Sequence, residues 1–299
     1  MTVFKYIITE EDRGLPIKQI MRREFGFSSR LMSKVKHNKC TFVNGESLPT
    51  WVEGNPGDVL EVRLPEESSD FEPEDIPIHV VYEDGDVLVI NKQPYVIVHP
   101  TKGHPVHTIA NGLMKYMMDT DQKFKIRFVN RLDMDTSGLL IIGKNSHTQD
   151  SLMKQMKTNT VEKRYVAIVK GVITEDEGTI DLPIGRPDPE RVERGVMEDG
   201  DPSITHYKVL ERYNKHTLVE LLLETGRTHQ IRVHMSHIGY PVLGDYLYGG
   251  DAPSLIERQA LHARYLSFNH PVTGERLNLE ADLYDDMNQL IAKLRAAKK

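Results

Sequence analysis

The sequence predicts an α+β protein with a mixed, largely antiparallel sheet and a small α+β unit in front of it. Three observations carry this. Residues 1–65 alternate short amphipathic helical runs with short strand runs, residues 66–77 are acidic and proline-punctuated, and from residue 78 the pattern changes to strands bounded by turn residues. The domains are therefore drawn as 1–65, a linker at 66–77, and a larger domain at 78–299.

In the first unit, Ile17, Ile20, Met21 and Phe25 suit one face of a helix. Ser28 is placed to cap a second helix with Leu31, Met32 and Val35 inward and Arg30, Lys34 and Lys36 outward. Thr41–Val43, the turn pair Asn44-Gly45, the turn Pro56-Gly57-Asp58 and the run Asp58–Val62 read as strands and their connections. The linker, with six acids between Glu66 and Asp75 and prolines at 73 and 77, reads as an exposed connector. Beyond it, 79–82 and 87–90 flank the turn Glu83–Asp86 as a hairpin. Further strands are expected at 139–142, 165–169, 207–210, 218–223 and 261–268, and helices at 145–157, 228–238 and 284–297. Gly239 and Pro241 supply the stop for the middle helix.

Composition narrows the function. Of 299 residues, 39% are hydrophobic and 27% charged, as in an ordinary globular protein. No run of about eighteen apolar residues predicts a membrane span, and the N-terminus lacks the apolar core of a secretory signal. The single cysteine, Cys40, excludes an intramolecular disulfide and a cysteine metal cluster, so a cytoplasmic location is expected. A net charge of −6 argues against nonspecific coating of nucleic acid. Charge is nevertheless segregated: seven basic residues face one acid between Lys18 and Lys39.

The segment Asn130–Gly138, NRLDMDTSG, holds the strongest chemical signal. Asp133 lies in a short polar loop just before the apolar run 139–142, with Arg131 two residues away. A carboxylate so placed can be aimed into a cleft as nucleophile or base. The same pattern also serves as a plain turn or cap device.

NRLDMDTSG resembles the catalytic loop of the RluA-type pseudouridine synthases, HRLDxxTSG, with Asn130 in place of the usual histidine. EKRYVAIVKG (162–171) resembles the second motif of that family, and TGRTHQIRVHMSHIGYPVLGDYLYGG (225–250) its third. The resemblance spans roughly residues 78–282 and implies the pseudouridine synthase fold. It also implies an activity: cleaving the glycosidic bond of a uridine in RNA and rejoining the uracil through carbon 5, without metal or other cofactor. By that resemblance Asp133 is the catalytic carboxylate. Tyr165 stacks on the target uracil and is the candidate proton acceptor, although a phenol with a pKa of about 10 is a weak base. Arg232 pairs with Asp133 and keeps it ionised. Arg131 enters the RNA where the base has left, its planar head suited to stacking. Arg227, at the expected helix start, is placed for phosphate.

FSSRLMSKVKHNKCTFVNGE with PGDVLEV resembles, over about 55 residues, the small RNA-binding domain shared by a small-subunit ribosomal protein and many RNA-modifying enzymes. It implies an RNA-backbone face made of Arg30, Lys34, Lys36 and Lys39, and leans toward large-subunit (23S) ribosomal RNA, as in the RluC and RluD branches. A tRNA uridine, or a non-catalytic RNA-binding or ribosome-assembly role, are the alternatives. A monomer is expected. Thirteen histidines invite a metal reading, with His229, His234 and His237 close in sequence and His99, His104 and His107 likewise. Their spacings do not fit a helical zinc pair, and no HExxH occurs, so no metal is expected.

Overall fold

The structure, a computed structural model, describes residues 2–297. The first unit comprises β1 (Val3–Ile7), α1 (Ile17–Glu24), α2 (Ser29–His37), β2 (Thr41–Val43), β3 (Glu46–Ser47) and β4 (Val59–Arg63). Its strands form one antiparallel sheet in the order β1-β4-β2-β3. Ile17, Ile20 and Met21 of α1 and Leu31, Met32 and Val35 of α2 close over that sheet. Ser28 caps α2 by accepting from Leu31 N at 3.3 Å, a cap whose removal typically costs about 1 kcal/mol. Its hydroxyl also donates to Asp150 of the larger domain at 2.5 Å, so one residue both starts the helix and docks the unit. The edges of the His147 ring meet Phe4 and Phe27 at the same junction.

The larger domain runs β5 (Val80–Glu83), β6 (Val87–Lys92), α3 (Ile109–Asp119), β7 (Arg127–Phe128), β8 (Ser137–Gly143), α4 (Ser146–Lys157), β9 (Glu162–Lys170), β10 (Glu177–Asp181), β11 (Ile184–Gly185), β12 (Gly195–Val196), β13 (Ile204–Arg212), β14 (His216–Leu223), α5 (Gln230–His237), β15 (Leu261–Asn269), β16 (Arg276–Glu280) and α6 (Asp285–Ala296). Its main sheet has the order β10-β13-β14-β9-β15-β8-β6-β5, with β16 on β15 and β7 on β8. Every pairing in it is antiparallel except β15 with β8. The parallel register, His262 with Ser137 and Ala263 with Gly138, falls where the chain leaves the Asp133 loop. Gly138 has φ +114°, and a Cβ there would lie 2.3 Å from Ala263 O, so only glycine lets the two backbones approach this closely. Strand β8 is buried along its whole length, which is why it reads as a continuous apolar run rather than an alternation.

The expected strands and helices are present with ends shifted by a few residues. The N-terminal strand, the strands β3, β7, β10, β11, β12 and β16, and α3 are additions. Helix α3 is buried along most of one side and opens on a Thr108–Asn111 capping box. The acidic linker departs from its expected character. It has no regular structure, yet it is a docked strap rather than an exposed tether. Glu67 bridges Lys34 (2.5 Å) and Arg127, joining the two domains. Ser69 Oγ accepts from Ile126 N at 2.9 Å, Asn111 donates to Glu72 O at 2.8 Å, and Glu74 takes both the backbone and ring nitrogens of His107. Phe71 and Ile78 pack on the core beneath. Net charge concealed this, because alternate residues of the strap face inward and find cationic or backbone donors.

Candidate active site

Asp133 sits in the loop between β7 and β8, and that loop is held at almost every residue. Asn130 Nδ2 donates to Leu139 O (3.2 Å) and its Oδ1 accepts from Ile141 N (2.8 Å), stitching the start of the loop to β8. An amide can donate and accept at once, so asparagine fills the place of the family histidine as a backbone clamp. Thr136 N closes a turn on Asp133 O at 3.1 Å. Buried Lys92 donates to Met134 O (2.9 Å), and also to Gln93 O and Val96 O. Burial pushes its pKa down to about 7. Buried Arg258 donates to Asp135 O (3.0 Å) while its other face grips Asp286 at the start of α6. Gln259 Nε2 donates to Thr136 Oγ1 at 3.0 Å. Three side chains remote in sequence therefore fix three successive loop residues, which pre-orients the carboxylate before any ligand arrives.

Helix α5 supplies the partner. Arg232 Nη1 donates to Asp133 Oδ2 at 3.0 Å. Its Nε and Nη2 make a two-point grip on Asp245 at 2.6 and 2.9 Å. Asp245 is fully buried and Arg232 nearly so, and the guanidinium also lies 5.1 Å from the centre of the Tyr248 ring. Burial pulls the arginine pKa down, but the hydrogen bonds and charge of Asp245, with Asp133 behind them, outweigh it and raise it. Asp245 thus neutralises most of Arg232, and the remaining arm orients Asp133. No hydrogen bond to Asp133 Oδ1 occurs among the described residues, so that oxygen is available to a substrate.

His229 caps α5 in the left-handed conformation, φ 58°. Its Nε2 stands 3.8 Å from Asp133 Oδ2, and Nδ1 is 2.8 Å from Tyr248 OH. That hydroxyl also accepts from Arg194 N; with the ring proton on Nε2, Nδ1 accepts from the hydroxyl and an N–H faces Asp133. Burial holds the His229 pKa below the usual value despite the nearby carboxylate. Gln230 locks the preceding loop: its Oε1 accepts from Thr225 Oγ1 and Arg227 N, and its Nε2 donates to Ile204 O and Thr205 Oγ1.

Tyr165, on β9, lines the same pocket of about 60 Å³ with Asp133, Thr136, Leu223, Ile231 and Leu261. Burial and the Asp133 charge raise its pKa well above that of a free phenol, so it stays protonated near neutrality. This weighs against the proton-acceptor role and leaves Tyr165 a flat, neutral wall. The pocket opens into a groove of about 950 Å³ that runs between α4, the loop at 97–101 and the loop at 224–227. Arg131 stands exposed at its lip, donating to Thr228 Oγ1 at 3.2 Å. Arg227 does not begin a helix: α5 starts three residues later, and Arg227 lies in a turn, reaching Pro202 O at 3.4 Å. The expected anion site at a helix start is therefore replaced by a side chain on a loop.

On the first unit Arg30, Lys36 and Lys39 are exposed and, among the described residues, make no ion pair. Lys34 is turned toward Glu67 of the strap. The histidine clusters do not converge. Both His234 nitrogens are taken, by Thr205 Oγ1 and Leu182 O, while His237, His99, His104 and His107 are exposed. A different trio, Asp84, Asp86 and His270, brings ligand-type atoms within 4.8 Å of one another. Its carboxylates are engaged by Tyr82, Thr2, Asn145 and backbone donors. His270 Nδ1 accepts from Val272 N and Thr273 N, which leaves Nε2 protonated toward Asp84. The carboxylates of the trio are thus committed to protein donors, while His270 Nε2 lies 2.9 Å from Asp84 Oδ2 without hydrogen-bond geometry.

Asp245, Gln230, Lys92 and Arg258 were not singled out by the sequence. Only Asp245 left a local trace, as the lone carboxylate between Tyr240 and Gly250.

Comparison with known proteins supplies the family. A family model described as RNA pseudouridylate synthase matches residues 86–237, which include Asp133, Tyr165 and Arg232. The uncharacterized RNA pseudouridine synthase YlyB of Bacillus subtilis (strain 168) is 46% identical over 257 residues, 85% of each chain. The ribosomal large subunit pseudouridine synthase D of Pseudomonas aeruginosa is 39% identical over 280 residues, 89% of this chain and 87% of that one. The solved structure of human RNA Pseudouridylate Synthase Domain Containing 1 is 29% identical, with a TM-score of 0.59, covering 77% of this chain and 99% of that one. With the Asp133–Arg232 pair at the foot of an open groove, and with relatives matching nearly end to end, the chain belongs to the RluA family of RNA pseudouridine synthases.

Proposed function

We propose that this pseudouridine synthase acts on specific uridines of 23S ribosomal RNA, as a cytoplasmic monomer without metal or other cofactor. The observation that carries the mechanism is Asp133, held through Oδ2 by Arg232 with Oδ1 left to the groove. The flipped uridine stacks on Tyr165. Asp133 assists departure of the uracil from the ribose, by adding to the sugar or by taking a proton from it. The uracil leaves with the glycosidic electron pair and turns within the pocket beside Tyr165. Its carbon 5 then bonds to the sugar carbon as the Asp133–sugar bond breaks, or as the proton that Asp133 took returns to the sugar; carbon 5 loses its proton to solvent, and the freed ring nitrogen gains one. Bonds, electrons and protons balance within one nucleotide, so the reaction is an isomerisation. Arg232 and the His229 Nε2 proton stabilise the carboxylate whenever it is released as an anion. Arg131 fills the vacated stack and Arg227 takes a backbone phosphate.

The relatives named for the ribosomal large subunit support the choice of substrate. So does the first unit, whose Arg30, Lys36 and Lys39 are free to meet an RNA backbone, with Lys34 beside them. Site-resolved pseudouridine mapping of total RNA with the gene, without it, and with an Asp133→Asn copy tests the reading. We expect sites in 23S RNA to vanish on deletion and to stay absent in the Asp133→Asn strain. Loss confined to tRNA would overturn the substrate, and restoration by Asp133→Asn would overturn the enzyme role.

A further inference from the structure

Strand β9 carries two neighbouring cations on opposite faces, and the protein treats them differently. Arg164 donates to Glu162 at 2.5 Å and to Glu220 at 2.8 Å. Lys163, one residue earlier, points to the other face, the one that carries Tyr165. Its ammonium makes no hydrogen bond and no ion pair among the described residues. It lines the 950 Å³ groove together with Arg131, Asp133, Tyr165 and Arg227. Its ammonium stands beside the backbone of Gly226, 3.7 Å from where a Cβ would lie.

A half-buried cation without a counter-ion is costly, and burial pulls the Lys163 pKa down with no carboxylate offsetting it. Two acids line the groove: Glu224 has its Oε1 2.7 Å from His206 Nε2, and Asp133 is held by Arg232. Arg131 and Arg227, by contrast, each lean on a protein acceptor. An uncompensated charge kept in a functional groove points to a ligand that compensates it. Alternate residues of a strand are about 7 Å apart. A nucleotide whose base lies on Tyr165 can therefore offer its own backbone to Lys163.

We propose that Lys163 is a phosphate subsite, binding the RNA phosphodiester adjacent to the uridine held between Asp133 and Tyr165. The inference rests on the uridine-isomerase reading given above. RNA binding then supplies the anion that the fold omits, so the free enzyme carries a small instability that substrate relieves.

The test compares Lys163→Met and Lys163→Arg with wild type, using a twelve-residue oligouridylate for equilibrium binding and transcribed 23S RNA for turnover. Methionine should weaken oligouridylate binding roughly five- to tenfold at 0.1 M salt, and lower the log–log salt slope by about 0.7, the value of one single-strand phosphate contact. Arginine should restore most of both. On 23S RNA the loss in kcat/KM should fall in KM. Free Lys163→Met protein should melt above wild type, because the unpaired cation is gone. Unchanged oligouridylate affinity and slope would overturn the subsite. So would a fall in kcat at unchanged affinity, which would make Lys163 a group of the chemistry. A lower melting temperature of the free Met variant would also overturn it, by showing a structural contact. If 23S RNA is not converted by wild type, the substrate reading fails, while oligouridylate binding still decides the role of Lys163.

Discussion

In the function proposed above, the Asp133 loop and the basic face of the first unit both bring charge to RNA, and they are built on opposite plans. Around Asp133 the charges are buried, shared and geometrically fixed: Arg232 is divided between Asp133 and Asp245, and Lys92 and Arg258 hold the loop backbone. On the first unit Arg30, Lys36 and Lys39 are exposed and unpaired among the described residues. A reacting group must be held where the bond will break, so its surroundings are satisfied in advance. A phosphate-binding face gains its energy by releasing counter-ions from RNA, so pre-pairing it would waste the effect. If this contrast is right, substitutions near Asp133 should cut rate steeply, and those on the basic face should cut affinity mildly.

The largest effect is expected for Asp133→Asn. The side chain keeps its shape and its place beside Arg232, but an amide can neither add to the sugar nor take its proton. Turnover should fall at least about a thousandfold, as when other enzymes lose a nucleophile, with RNA affinity within about threefold. Residual activity above a tenth of wild type in a single-turnover assay would remove Asp133 from its role.

Next comes Asp245→Ala, which touches no substrate. It strands two N–H arms of an arginine that is only 5% exposed. Leaving such a buried charge unpaired costs roughly 3–5 kcal/mol, and Arg232 should swing toward whatever acceptor remains. We expect a lower melting temperature and a rate loss of about a hundredfold, the scale of a 1 Å misplacement. Wild-type kcat in a folded Asp245→Ala protein would show that Arg232 positions Asp133 unaided.

This pair of residues also marks how far the sequence could be read. Asp133 and Arg232 were legible because motifs carry them, and their 3.0 Å contact across ninety-nine residues is as expected. Lys92 and Arg258 were not, because nothing local distinguishes them, and Asp245 left only the trace of a lone carboxylate between Tyr240 and Gly250. Lys92 looks like a polar strand end, yet it is fully buried beneath the loop. Asn130 stood out in the sequence only as a replacement for the usual histidine, and its role emerged from its two bonds to β8. The strap misled for the converse reason. Its acids and prolines describe an exposed chain until Arg127, Lys34 and the Asn111 amide are brought to it by the fold.

The basic face gives the next effect down. Since Lys34 is bound to Glu67, reversing it would unlatch the strap as well as remove a cation from the RNA-facing side. Arg30→Glu with Lys36→Glu isolates binding. Affinity for 23S RNA should fall about tenfold at 0.1 M salt, and the salt slope should drop by roughly one for each phosphate no longer neutralised, with kcat retained. Lys34→Glu should in addition lower the melting temperature. Equal salt slopes for the double variant and wild type would reduce this face to a solvated surface.

The smallest effect concerns what keeps that face in shape. Asp12 lies under the first unit with no side-chain exposure. Burial pushes its carboxyl up, but donors from Thr9, Tyr6 and Arg23 outweigh it and bring it from 3.8 down to about 2. A carboxyl whose folded pKa lies below its unfolded value stabilises the fold fully above the unfolded pKa, and loses that contribution as pH falls toward the folded one. The window here is about pH 4 down to 2. Asparagine at 12 cannot titrate, so Asp12→Asn should leave the unit slightly less stable at pH 7, with a shallower acid response. The buried methyls of Met21 and Met32 report on this unit alone by NMR. In wild type their native signals should fade across that window, and in Asp12→Asn the fading should spread over a wider range. Superimposable acid curves for the two proteins would mean that other carboxylates, not Asp12, hold the helix pair under its basic face.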